Sequence, residues 1–319
     1  MTASGTANFT NPDDYGAGIG GANVSLVVTG RGDFNARLTR LKLRHLHVLR
    51  GRENLPHIAY VTLPPGRVFA WFSIGPDACL VWSGMELKCG DILLHSRGER
   101  GHHRTKAASQ WALMSLPSRQ LAACGQALTG RKLIAPAAGR ILRPTPSAAA
   151  ELRHLLAKAC RVAETHPDII AHPEAARALE QELIHALVDC LAGDEAYGNL
   201  ATKRHHAGIM VRFEDALAAS DGRQPSVPEL SAAVGVPERT LRQCCVELIG
   251  LSPSRYIRLR RLNMVRAALR RADPTTASVA AIAQRYEFSE LGRFAAAYRA
   301  AFGETPSATL RHAAFGLRE

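Results

Sequence analysis

The chain has 319 residues, enough for two domains and more than one small core requires. It is 46% hydrophobic, which excludes disordered and collagen-like classes. Lys and Arg number 40 against 28 Asp and Glu, a net charge of +12, and the pI near 9.8 points to a polyanion, nucleic acid ahead of a membrane surface.

The basic residues are mostly Arg, which favours planar contacts to phosphate and guanine. The N-terminal segment lacks the basic and apolar regions of a signal peptide, and no apolar run approaches the ~20 residues of a spanning helix. The expectation is a cytoplasmic protein with no membrane partner. The seven cysteines (Cys79, Cys89, Cys124, Cys160, Cys190, Cys244 and Cys245) are scattered and form no CxxC pair. They read as buried thiols, with neither a disulfide framework nor a structural zinc site.

The spacing predicts a β-rich domain over 1–145, a helical dimerisation or linker region over 146–206, and a helical domain over 207–319. In the first part, Val24–Val28 reads as a strand. Ala36 to Leu43 alternates with period two, the pattern of a half-buried strand. Ile58 to Leu63, Val68 to Ile74 and Asp91 to His95 are further strands. Gly30, Pro64-Pro65-Gly66, Gly84 and Gly90 punctuate them, which suggests a sandwich or barrel.

The period then changes. Pro146-Ser147 opens a helix, with Ser147 read as its N-cap and Leu152, Leu155, Leu156, Ala159 and Val162 on one face. His172-Pro173-Glu174 opens another, carrying Leu179, Leu183, Leu187 and Leu191. These helices suit packing on the β domain or on a second copy of the chain. Gly193 to His206 is polar and basic and reads as a linker.

Residues 200–319 hold 18 Lys and Arg against 11 Asp and Glu, a denser positive excess than the rest. This part also repeats itself. Ile249-Gly250-Leu251-Ser252-Pro253-Ser254 is echoed about 53 residues later by Phe302-Gly303-Glu304-Thr305-Pro306-Ser307, and Leu241 by Phe294. In the first copy Ser226 caps a short helix, Gly235 turns, and Glu238 to Leu248 forms the next helix, ended by Gly250. In the second, Ser278 caps Val279 to Gln284, a turn follows at Tyr286-Glu287-Phe288, and Leu291 to Phe302 ends at Gly303. A long helix, Pro253 to Arg271, joins the copies. Two helix–turn–helix units on one rigid helix suit two successive major grooves, roughly 34 Å apart.

Val227 to Val236, Arg239-Thr240-Leu241, Gly250 to Ile257 and Arg260-Arg261-Leu262 together resemble the DNA-binding domain of AraC/XylS-type bacterial transcription regulators. The second half agrees through Val279 to Ala283, Phe288, Gly292-Arg293-Phe294, Tyr298-Arg299 and Phe302 to Ser307. The resemblance covers about 100 residues, 215 to 312. It implies an α+β, two-domain protein. An N-terminal β-rich sensor or dimerisation domain, cupin-like and followed by helices, would precede an all-α domain of two helix–turn–helix units. It further implies a homodimer that binds double-stranded promoter DNA, contacts RNA polymerase as an activator, uses no cofactor, is not an enzyme, and answers to a small-molecule effector on the N-terminal domain.

Arg239, Thr240, Arg242 and Gln243 are the expected base-reading residues of the first unit, and Leu291 and Arg293 those of the second. Arg255, Arg258 and Arg299 are expected at phosphates. One position departs from the family: Glu287 stands where Gly is usual before Phe288. If the site needs positive φ, Glu costs ~1 kcal/mol or more and the turn could be reshaped.

The alternative is a metal-dependent cupin-type enzyme fused to a DNA-binding domain. Its ligands would come from His95, Glu99, His102 and His103, but no clean His-x-His with a following Glu is present, and no metal site is assigned. Trp71, Trp82 and Trp111 either pack the β core or line a pocket.

Overall fold

The computed structural model describes residues 4–75, 80–193, 201–220 and 225–312. Cys79 and much of the expected linker lie outside the described residues. Strands β1 (Gly5–Phe9), β3 (Ala36–Lys42), β4 (His47–Glu53), β6 (Arg67–Ser73), β9 (Ile92–Leu94), β11 (Ser109–Pro117) and β12 (Arg140–Leu142) form one sheet, ordered β1-β3-β4-β11-β6-β9-β12. Strands β2 (Asn23–Val28), β5 (His57–Thr62), β7 (Leu80–Trp82), β8 (Met85–Leu87) and β10 (Arg100–Thr105) form a second, ordered β2-β5-β10-β7-β8. Neighbouring strands run antiparallel throughout.

The sheets face each other over one core, which holds Leu26, Val28, Leu38, Ala59, Trp71, Trp82 and Trp111. The approach is close at Gly51, where a Cβ would meet the Trp111 ring at 2.2 Å. Only glycine leaves room for the indole there. Helix α1 (Pro12–Gly18) closes one side, and its Tyr15 is fully buried.

Each sheet also buries its outer face, against a different partner. The seven-stranded sheet contributes Leu41, Val48, Ala70 and Met114 to a second core. Helices α2 (Ser118–Thr129), α3 (Pro146–Thr165) and α5 (Pro173–Ala192) cover it, and the short α4 (Pro167–Ala171) joins α3 to α5. Leu152, Leu156, Leu183, Leu187 and Leu191 are all buried in that core. The two long helices thus spend their apolar stripes within the chain. The N-cap of α3 is Thr145, whose hydroxyl accepts from the Ala148 backbone N–H. The expected cap, Ser147, lies inside the helix because Pro146 already takes the first helical position.

The five-stranded sheet turns its outer face to the C-terminal helices. Val27 of β2 and Ile58 of β5 join a core with Ile209, Phe213, Leu241 and Tyr256. Alternation along β2 places Leu26 and Val28 inside the sandwich and Val27 outside it. The C-terminal helices are α6 (Ala201–Ala219), α7 (Val227–Val234), α8 (Glu238–Ile249), α9 (Pro253–Arg271), α10 (Val279–Arg285), α11 (Leu291–Phe302) and α12 (Pro306–His312). Helix α6 takes in residues 201–206, which composition alone reads as linker.

Candidate nucleic-acid interface

The first unit, α7 and α8, is set by local chemistry. Ser226 caps α7 in a reciprocal box: its hydroxyl accepts from the Glu229 backbone N–H, and the Glu229 carboxylate accepts from the Ser226 N–H. Gly235 ends α7 at φ 74°. The turn is held by the Ser231 hydroxyl, which donates to the Val236 carbonyl at 2.6 Å. Helix α8 then buries Leu241, Cys244, Cys245, Leu248 and Ile249. That leaves Arg239, Arg242, Gln243 and Val246 exposed on the opposite face. Spacings of three, four and seven place these four in one stripe. Thr240 is half-buried at its edge.

Val246, 52% exposed, was not singled out from the sequence. Its signal is an apolar residue in register with Arg239 and Gln243 on an otherwise polar face. Burial pushes the Cys244 thiol up to about 11, so it is a packing group and not a reactive one.

The second unit, α10 and α11, repeats the plan. The Ser278 hydroxyl caps α10 through the Ala281 N–H. Phe288, Phe294, Tyr298 and Phe302 pack in succession, tilted or edge to face, with ring centroids 4.7–5.7 Å apart. Glu287 adopts φ 58°, so the left-handed turn is kept despite the missing glycine and is not reshaped. The Arg261 guanidinium lies over the Phe288 ring, 4.1 Å from its centroid. Burial lowers the pKa of Arg261, and the nearby Glu287 charge opposes that shift.

On α11 the exposed face is Leu291, Gly292, Arg293, Ala295, Ala296, Arg299 and Ala300. Arg293 Nη1 donates to Glu290 Oε1 at 3.0 Å, in a pair exposed on both sides. Such pairs are worth about 0–1 kcal/mol, so Arg293 exchanges readily to another acceptor.

Helix α9 links the units. Tyr256 and Ile257 pack in the first core, and Leu262, Val265 and Leu269 in the second. Arg255 and Arg258 are exposed beside a groove of about 430 Å³ between the units. Among the described residues no acidic side chain pairs with Arg239, Arg242, Arg255, Arg258 or Arg299. Arg239, Arg242 and Gln243 are therefore brought together on α8 with half-buried Thr240 at their edge, Arg255 and Arg258 together on α9, and Leu291, Arg293 and Arg299 along α11. These features define a tandem helix–turn–helix domain.

Comparison with known proteins agrees. A family described as a helix-turn-helix domain matches residues 230–312. A probable thc operon regulatory protein of Rhodococcus erythropolis is 31% identical over 150 residues, 47% of this chain and 45% of that one. A XylDLEGF operon transcriptional activator of Pseudomonas putida is 40% identical over 89 residues, 28% of each chain. The crystal structure of the AraC-like transcriptional activator CuxR aligns over 81% of this chain and 93% of its own, at 16% identity and a TM-score of 0.43. The matched segments span less than half the length of these two curated relatives. Residues 230–312 thus form a helix–turn–helix domain similar to that of the XylDLEGF operon activator.

In the N-terminal half, the four side chains weighed as metal ligands do not converge. His95 Nδ1 and Glu99 Oε2 lie 2.9 Å apart. Burial would raise the Glu99 carboxyl, but hydrogen bonds from His95 and from the Ser96 backbone hold it below the ordinary carboxylate value. His103 lines the space between the sheets. His102, next on β10, faces the other way and meets Glu214 of α6. Among the described residues no three His, Cys, Asp or Glu side chains form a ligand set.

Trp71, Trp82 and Trp111 all line the interior cavity, whose volume is about 50 Å³. That suits a water or two and falls well short of the roughly 300 Å³ at which small-molecule sites begin. A groove of about 740 Å³ lies elsewhere, between α2 and α5, bordered by Arg44, Cys124, Leu128, Arg177, Glu180 and Ile184.

Proposed function

We propose that the protein is a sequence-specific, double-stranded-DNA-binding transcription regulator, an activator in the manner of its relatives. The observation that carries this reading is the exposed stripe Arg239, Arg242, Gln243 on α8, free of acidic partners among the described residues and mounted in a doubled helix–turn–helix. Helix α8 enters one major groove and α11 the next. Arg239 and Arg242 read guanine edges, Gln243 reads adenine, and Thr240 supports them. Leu291 contacts a thymine methyl and Arg293 a guanine. Arg255, Arg258 and Arg299 neutralise phosphates.

The protein works in the cytoplasm as a homodimer that recruits RNA polymerase, and it has no catalytic role. The boundaries that fit this reading are those expected, 1–145, 146–206 and 207–319, with the last moved back to 201, where α6 begins. Effector control through the N-terminal domain belongs to the same reading. The groove between α2 and α5 has ligand-sized volume as it stands, whereas the Trp-lined cavity must expand to admit more than water.

The test is genome-wide DNA selection with purified protein and with Arg239→Ala and Arg242→Ala. The expected result is a discrete motif with half-features one helical turn apart, each variant losing about 1–3 kcal/mol at particular base positions. Uniform, salt-sensitive binding without a motif overturns the reading.

A further inference from the structure

The loop after β2 reaches the helix–turn–helix domain. Gly32 N–H donates to the Phe302 carbonyl at 3.0 Å, and Arg31 Nε donates to the Ala300 carbonyl at 3.0 Å. Both acceptors belong to the last turn of α11, where carbonyls lack helical partners. Behind this contact, buried Arg266 donates to the Gly32 carbonyl and to Glu304. Arg270 pairs with Asp33 at 3.1 Å. Arg31 is thus held in place although its side chain is exposed.

Arg31 also lines the groove between the two units, together with Arg255 and Arg258 of α9 and Ala297 and Ala300 of α11. None of the described residues lining it is acidic. Three guanidiniums without a counter-charge attract an anion. The occupant follows from the position. If α8 and α11 enter successive major grooves on one face, the backbone between those grooves runs past the space between the units. The second unit also carries few cations on its own exposed face, where Arg293 and Arg299 stand among Leu291, Gly292, Ala295, Ala296 and Ala300.

We propose that Arg31, a residue of the N-terminal β domain, completes a DNA-backbone phosphate site with Arg255 and Arg258. The β domain then takes a direct part in DNA binding as well as controlling it. This inference rests on the DNA-binding reading above.

The experiment measures affinity of the full chain for a labelled duplex, either selected or of random sequence, across a salt series. Each phosphate contact contributes a slope of about −0.9 in log K against log salt. Arg31→Ala is expected to make the slope shallower by about 1 and to weaken binding equally on both duplexes, leaving the motif unchanged. Arg31→Lys, which keeps the charge, is expected to restore the slope. The double variant Asp13→Asn, Asp14→Asn loosens the contact of α1 with Arg271 without removing a cation, and is expected to leave the slope unchanged.

An unchanged slope for Arg31→Ala, or tighter binding, overturns the proposal and makes Arg31 a docking residue only. A slope loss shared by the Asp13, Asp14 variant also overturns it, because the effect would then come from domain docking. If the unaltered chain selects a motif while Arg31→Ala leaves the slope unchanged, the phosphate site alone fails. If the unaltered chain selects no motif, the sequence-specific reading itself fails.

Discussion

His102 Nε2 lies 2.9 Å from Glu214 Oε1, joining β10 of the N-terminal sandwich to α6 of the C-terminal helices across 112 positions of sequence. Both side chains are buried. Glu214 also accepts from the Tyr256 hydroxyl at 2.7 Å and from Arg260 Nη1 at 3.2 Å. One carboxylate on α6 thus ties the β domain to the connecting helix α9. His103, the next residue on the strand, faces the interior cavity.

Glu214→Ala is expected to be the most disruptive single change at this junction. Removing one partner of a buried pair costs about 3–5 kcal/mol, because the remaining charge is left uncompensated. Burial alone would raise the Glu214 carboxyl. The hydrogen bond and charge of His102, the Arg260 charge and the Tyr256 hydroxyl outweigh burial and hold it below its ordinary value of 4.5. A depressed carboxyl stabilises the fold above its unfolded pKa, and that contribution fades as pH falls through the folded value. Hydrogen exchange at β10 and α6 reads both effects. Exchange should quicken in Glu214→Ala at neutral pH, and in the unaltered protein only below about pH 4.5.

At Glu287 the backbone stands at φ 58°, which costs a side-chain-bearing residue about 1–2 kcal/mol. Glu287→Gly is expected to raise stability by ~1 kcal/mol, the conformational strain relieved exceeding the chain entropy added. Glu287→Ala keeps the Cβ and should gain nothing. Thermal melts of the two variants decide it; equal melting temperatures for Glu287→Gly and Glu287→Ala would mean that a Cβ at this φ carries no net strain.

The C-terminal third was legible because its signals are local. Ser226, Gly235, Gly250, Ser278 and Gly303 punctuate short helices, and the second copy confirms the first. The helix expected over Pro253 to Arg271 is α9 to the residue. The N-terminal half was read only in part. Apolar strands such as β2 and β6 were found, but β10 was not, because its sequence Arg-Gly-His-His-Arg-Thr shows no hydrophobic alternation. Its alternation is carried by histidines that serve two different interfaces. The docking of the halves left no sequence signal either. Asn263 exchanges hydrogen bonds with the Val28 backbone, and nothing in an arginine-rich helix marks that amide as an extension of a β-sheet edge.

His103 supplies a second pH dependence, of different origin. Burial depresses its pKa well below 6.5, and the neighbouring His57, His95 and His102 add to the shift. The folded state holds this imidazole neutral, whereas the unfolded chain protonates it below about 6.5. Stability is therefore complete above that pH and declines as pH falls below it. The melting temperature should drop between pH 7.5 and 5.5, and His103→Gln, which cannot titrate, should flatten that drop. An identical profile in the variant would trace the dependence to another group.

The apolar residues on the two readout faces give a ranking. Val246 is 52% exposed on α8, in register with Arg239 and Arg242, and Leu291 is 37% exposed at the start of α11, two residues before Arg293. An aliphatic tip in a major groove discriminates through contact with the thymine methyl, a weaker device than a bidentate arginine on guanine. Val246→Ser and Leu291→Ser should therefore each relax the preference for thymine at one position while leaving the salt slope unchanged. Arg242→Ala should cost more, about 1–3 kcal/mol, at a guanine. Competition binding with operators substituted one base at a time orders the three. A Val246→Ser loss spread evenly over all positions would mean that the side chain supports α8 without touching a base.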